Sequence, residues 1–65
     1  MQVSVNGQIE EIVAQNLVSY LKSKSLLGRR IAVELNGEIV PKTQFSSVML
    51  EDGDVLEIVH AIGGG

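Results

Sequence analysis

Two Asn-Gly pairs, Asn6-Gly7 and Asn36-Gly37, each lie between short stretches in which apolar and polar residues alternate. Both residue types accept the positive φ of a two-residue type I′ turn, whose twist suits a pair of antiparallel strands. Each pair therefore predicts a β-hairpin. Val3 and Val5 alternate with Gln2, Ser4 and Asn6 on the way into the first turn, the pattern of a half-buried strand. The return strand runs from Gln8 to about Val13. Its alternation is imperfect, because Ile9, Ile12 and Val13 do not share one parity; a bulge or an early exit would account for this. Ile31, Val33 and Leu35 alternate with Ala32 and Glu34 before the second turn, and Glu38-Ile39-Val40 follows it as a short strand. Pro41 ends that strand by removing a ladder donor.

Between the hairpins, Asn16 is a good N-cap. Leu17, Tyr20 and Leu21 form one apolar stripe, and Lys22 and Lys24 stand near the C-terminal end of the dipole. A helix over about 17–25 follows, with Leu26, Leu27 and Gly28 as its exit. The segment 42–50 reads as irregular, with Phe45, Val48 and Leu50 turned inward, and Glu51-Asp52-Gly53-Asp54 reads as a turn. Val55 to His60 is the last strand, with Leu56 and Ile58 on one face and Val55, Glu57 and Val59 on the other. The order β-β-α-β-β-β gives an α+β fold with one helix packed across a mixed sheet of four to five strands. With its first and last strands side by side in the centre, this is the β-grasp, or ubiquitin-like, topology. The domain spans residues 1–61, and 62–65 form a flexible glycine tail.

Size and charge narrow the function. A 65-residue chain buries only about 60% of the surface it exposes when unfolded, so an enclosed catalytic cleft would cost core that it cannot spare. A net charge of −3 with five basic residues argues against nucleic acid, whose binding rests on clustered cations. No apolar run approaches the roughly 20 residues of a membrane helix, and the N-terminus has no basic stretch followed by an apolar one. Cysteine is absent, so neither a disulfide nor a Cys-ligated zinc can reinforce the core. The expected setting is the cytoplasm, with the chain monomeric on its own.

The sequence ends Ala61-Ile62-Gly63-Gly64-Gly65. Consecutive glycines at a free end read either as a frayed terminus or as a working part. The second reading gains weight because the tail leaves directly from a central strand with outward-facing Val55 and Val59. Without Cβ atoms, Gly63, Gly64 and Gly65 can follow a narrow channel and adopt any backbone conformation that a partner imposes. Extended, residues 61–65 reach about 16 Å. A free α-carboxylate at Gly65 is ionised at neutral pH, with a pKa of roughly 3.3–3.7, and must be activated before it can react as an acyl group. Adenylation by ATP is the usual route. The chain has no phosphate-cradling loop, so ATP would be bound by a separate activating enzyme.

Other constellations carry less. His60 is the single histidine, with neither ligand spacing nor a base-and-orienter set around any serine. Glu10-Glu11 and Asp52-Gly53-Asp54 do not resemble a calcium loop and read better as solvated charges than as a cation site. The acidic stretch Glu51, Asp52, Asp54 and Glu57 is either a solvated turn and strand face or a surface that orients the tail toward a basic partner. The expectation is no catalytic residue, no metal and no bound cofactor.

Over its whole length the sequence resembles the ThiS family, the sulfur carriers of bacterial thiamine biosynthesis. The likeness is most specific in Asn36-Gly37-Glu38-Ile39-Val40-Pro41-Lys42, in Leu50-Glu51-Asp52-Gly53-Asp54-Val55-Leu56-Glu57-Ile58-Val59 and in Gly63-Gly64-Gly65. Phe45 and Lys42 are small departures that preserve apolar bulk and charge. The resemblance implies adenylation of the Gly65 carboxylate by a ThiF-type enzyme, then conversion to a thiocarboxylate with sulfur from a cysteine desulfurase route. Thiazole synthase of the ThiG type would take that sulfur. Ile62, Gly63, Gly64 and Gly65 would thread into the partner, and Val55, Glu57 and Val59 would form its docking surface. A molybdopterin-type or tRNA-thiolation sulfur carrier has the same logic, and an interaction module with an inert tail is the alternative of another class. The residues agree with a carrier on one point. A chain without cysteine cannot hold sulfur as a side-chain persulfide, which leaves the terminal carbonyl.

Overall fold

The computed structural model describes residues 1–61. Strand β1 (Gln2–Val5) turns at Asn6 and Gly7, with φ of 50° and 84°, into antiparallel β2 (Gln8–Glu11). The early exit is the outcome: β2 stops at Glu11, and mutual bonds between the Met1 and Ile12 backbones close the open end of the hairpin. Helix α1 (Leu17–Ser23) follows, capped by Asn16, whose side chain accepts the Ser19 N–H at 2.8 Å. After β3 (Ile31–Leu35), the turn at Asn36 and Gly37, with φ of 51° and 87°, leads to β4 (Glu38–Ile39). A 3-10 helix over Lys42–Ser47 comes next, and β5 (Val55–His60) is last.

The five strands lie in the order β2-β1-β5-β3-β4, with β5 parallel to β1 and antiparallel to β3. This is the expected β-grasp, a mixed five-stranded sheet with the first and last strands at its centre. Helix α1 and the 3-10 helix cover one face. Leu17, Tyr20 and Leu21 from α1 meet Val33, Leu56 and Ile58 from the sheet, with Phe45 and Leu50 closing the core. Among the described residues, no polar or charged side chain is buried.

Two local structures differ from expectation. Helix α1 ends at Ser23 rather than near residue 25, because Ser25 takes a left-handed conformation with φ of 59°. The Leu26 N–H then reaches back to the Leu21 carbonyl at 2.8 Å and the Ser25 N–H to the Lys22 carbonyl at 3.1 Å. This is a Schellman ending, with serine where glycine is usual. The segment after Pro41 is ordered as the 3-10 helix, started by the Gln44 N–H on the Pro41 carbonyl at 2.8 Å. It buries Phe45 while Val48 is half-buried.

One polar strap joins the layers. The Tyr20 hydroxyl donates to Glu10 Oε1 at 2.9 Å, and Lys24 Nζ pairs with the same oxygen at 3.1 Å. The Lys24 bond, then the Tyr20 bond, hold the Glu10 carboxyl below its usual range. Burial, then Glu10, push the Tyr20 phenol well above its ordinary value of 10.0.

Two outcomes follow. Leu56 has no exposed surface, so Leu56→Ala should cost about 2–5 kcal/mol through lost contacts and a cavity, measured by urea unfolding. Tyr20→Phe should cost about 0.5–1.5 kcal/mol at neutral pH. The raised phenol also sets a sign in alkali. Its contribution is complete below 10.0 and declines as pH rises toward the native value. Unfolding curves of the wild type should therefore lose stability above that pH, and Tyr20→Phe should flatten the loss.

Candidate docking surface and tail exit

Strand β5 delivers the chain to its tail, and both of its neighbours hold it. Against β3 it pairs through five residues, from Leu35↔Leu56 to Ile31↔His60. Against β1 the backbone ladder covers only Ser4↔Val55 and Val5↔Leu56. The Asn6 side chain then continues that ladder. Its Oδ1 accepts the Ile58 N–H at 2.7 Å and its Nδ2 donates to the Ile58 carbonyl at 3.1 Å, as a peptide group would. Asn36 acts at the start of the strand, where its Oδ1 accepts the Val55 N–H at 2.9 Å and its Nδ2 donates to Asp54 at 3.1 Å. Both hairpin asparagines thus serve as turn residues and as clamps on the strand between the hairpins.

The register assigns the faces. Leu56 and Ile58 point to α1, whereas Val55 and Val59 are 43% and 58% exposed on the outer face, and Glu57 is exposed between them. The strand parity read from the sequence therefore holds. The sheet adds residues to this surface that sequence reasoning did not group with them. Ser4 lies opposite both Val55 and Ile9, Ala32 opposite Val59, and Ile39 opposite Glu34. Ile9 and Ile39, at 67% and 71% exposed, are large apolar groups in open solvent. The signal was present, because a two-residue Asn-Gly turn fixes which residues of its two strands face each other; only the strand order was needed to complete the set.

The electrostatics of this face are unbalanced. Glu34 sits directly opposite Glu57, and like charges in that position destabilise a sheet. A cation brought by a partner would relieve the repulsion. The nearby acidic turn is employed differently. Asp52 accepts the Gln2 N–H at 2.7 Å, and Asp54 accepts the Glu51 N–H at 2.8 Å besides the Asn36 amide. Asp52 and Asp54 therefore brace the turn, and Glu34, Glu57 and Glu11 carry the acidic character of the outer face.

Ala61, the last described residue, donates its N–H to the Arg30 carbonyl at 2.9 Å. The chain is still bonded beside the start of β3 at this residue. The expected threading residues Ile62, Gly63, Gly64 and Gly65 lie outside the described residues. His60 is exposed at the end of β5. Among the described residues, no group of three His, Asp or Glu side chains is placed to hold a metal ion, and no helix is long and apolar enough to cross a membrane.

Comparison with known proteins bears on this arrangement. The model of the ThiS family matches residues 3–65. The sulfur carrier protein ThiS of Bacillus subtilis is 47% identical over 45 residues, which cover 69% of this chain and 68% of that protein. A thiazole synthase of Paramagnetospirillum magneticum is 42% identical over 66 residues covering the whole chain, although the chain spans only 20% of that protein's length. The crystal structure of the thiamine biosynthesis protein ThiS from Geobacter metallireducens superimposes with a TM-score of 0.87 at 29% identity, each chain covered in full. A central strand clamped on both sides, an outer face bearing exposed valines and the family match across nearly the whole sequence lead to one conclusion: the chain belongs to the ThiS family of sulfur carriers.

Proposed function

We propose that this protein carries sulfur for thiamine biosynthesis as a thiocarboxylate on Gly65 and is a cosubstrate acted on by other enzymes. The observation that supports this reading most is the fixing of β5. The strand that leads to the C-terminus is held on the β1 side as far as Ile58 and on the β3 side as far as Ala61, so a partner docked on the outer face meets the base of the tail at a defined position. The polar side chains described above brace turns and layers, and the reactive group on this reading is the backbone terminus.

The chemistry is acyl activation. The Gly65 carboxylate attacks the α-phosphorus of ATP in a ThiF-type enzyme, forming an acyl adenylate and releasing pyrophosphate. A persulfide, supplied through a cysteine desulfurase route, then attacks the carbonyl and expels AMP to give an acyl disulfide. A second thiolate attacks the persulfide carrier's own sulfur, breaking the S–S bond to leave a disulfide on that carrier and C–S⁻ where C–O⁻ had been. Glycine lacks a Cβ, which suits the approach of both reactants. Val55, Glu57 and Val59, with Ala32, Ile39 and Glu34 beside them, form the docking surface, and residues 62–65 enter the partner's site. A thiazole synthase of the ThiG type receives the sulfur. The match to a stretch within a thiazole synthase supports that step, because joining carrier and synthase in one chain raises their effective concentration.

The deciding experiment incubates the protein with ATP, a ThiF-type enzyme and a sulfide source and measures intact mass. The expected gain equals the exchange of one oxygen for one sulfur, confined to the C-terminal peptide; a gain elsewhere, or none, would overturn the reading. Gly65→Ala should fold normally and slow adenylation by at least about tenfold, since small misplacements at a reacting group cost up to about a hundredfold. Val59→Ser should weaken binding of the activating enzyme by about tenfold, the scale of an interface anchor, with little change in melting temperature. A melting-temperature loss as large as that of Leu56→Ala would show that Val59 is a core residue and not a contact.

A further inference from the structure

The charges of this chain are divided between its two layers. All eight acidic residues lie on the strands or on the turn 51–54. All five basic residues, Lys22, Lys24, Arg29, Arg30 and Lys42, lie on α1, on the connector from α1 to β3 or on the 3-10 helix. The net charge of −3 therefore hides a helix layer that carries cations and no acid. Within that layer, where β3 begins, Val18, Leu26, Leu27, Ile31 and Phe45 wall an open cavity of about 320 Å³. Arg29 and Lys42 stand at its edge, both exposed, and neither pairs with an acidic side chain among the described residues.

We propose that this cavity is a second docking site, which takes a short acidic segment of a partner protein. A bulky apolar side chain of the segment fills the cavity, and carboxylates on either side of it pair with Arg29 and Lys42. Three observations favour this occupant. The rim is cationic and unopposed, and the arginine fork suits a carboxylate. Apart from the two rim cations, Ser46 is the one polar side chain among those lining the cavity, so it offers few of the convergent polar groups that orient a small ligand. An apolar centre inside a charged rim is instead the anatomy of a protein interface. Finally, the site lies on the layer opposite the outer sheet face yet beside the tail exit, because Arg30, which bonds Ala61, adjoins Arg29 and Ile31. A partner held there would sit near the base of the tail and leave Val55, Glu57 and Val59 open. Both surfaces can then be occupied together, and the inference stands whether or not Gly65 carries sulfur.

The test titrates the ¹⁵N-labelled full chain with the capped peptide Asp-Glu-Asp-Trp-Leu-Glu-Asp. Two controls replace its acids by Asn and Gln, or its Trp and Leu by Ala. Saturable shifts below about 1 mM, at the amides of Val18, Leu27, Ile31 and Ser46, are expected with the parent peptide and lost with either control. Arg29→Glu with Lys42→Glu should lower affinity by about tenfold, and Leu27→Ser should lower it with the fold intact by circular dichroism. Four results would overturn the proposal. They are absence of saturation, shifts centred on Ala32, Val55 and Val59, the same pocket shifts on raising protein concentration alone, or tighter peptide binding in Ile62→Ser. The third would make the occupant a second copy of the chain, and the fourth would make it the chain's own tail.

Discussion

The pairing of β5 with two strands at once is the interaction from which the other features follow. It joins hairpins that are distant in sequence into one sheet, and it places Leu56 and Ile58 under α1 to complete the core. The same alternation puts Val55, Glu57 and Val59 on the outer face. One strand thus supplies the centre of the core, the centre of the outer face and the route to the C-terminus. A residue change on β5 therefore falls on the core or on the exposed face according to its parity.

The asparagines show how such a short chain achieves this. Each is needed for its turn, where positive φ excludes most residues. Each also spends its side-chain amide on β5, completing the edge that backbone pairing leaves open. The pairing of β1 with β5 would otherwise stop after two residue pairs. A small domain gains much from residues with two roles, because it has little buried surface to draw on.

Much of this was legible in the residues themselves. The Asn-Gly turns, the alternation in β1, β3 and β5 and the Leu17-Tyr20-Leu21 stripe led directly to strands, helix and topology. What escaped had physical reasons. The helix end was hidden because serine, not glycine, occupies the left-handed position at residue 25. The 3-10 helix has no strong period, and its placement depends on Phe45 reaching a core built by other elements. The outer face was only partly visible, since Ile9, Ala32 and Ile39 join it through cross-strand neighbours. Likewise, the use of Asp52 and Asp54 as braces depends on Gln2 and Asn36, residues far away along the chain.

The clamped strand has a mechanical consequence. A pull on the C-terminal end of β5 acts along the strand's own axis. Rungs on both flanks, including those made by Asn6, lie across that axis, so the load is shared in shear and the bonds cannot open one at a time as in a zipper. Tension at the end of β5 is then passed to β1 and β3 together, and the sheet responds as a single rigid object.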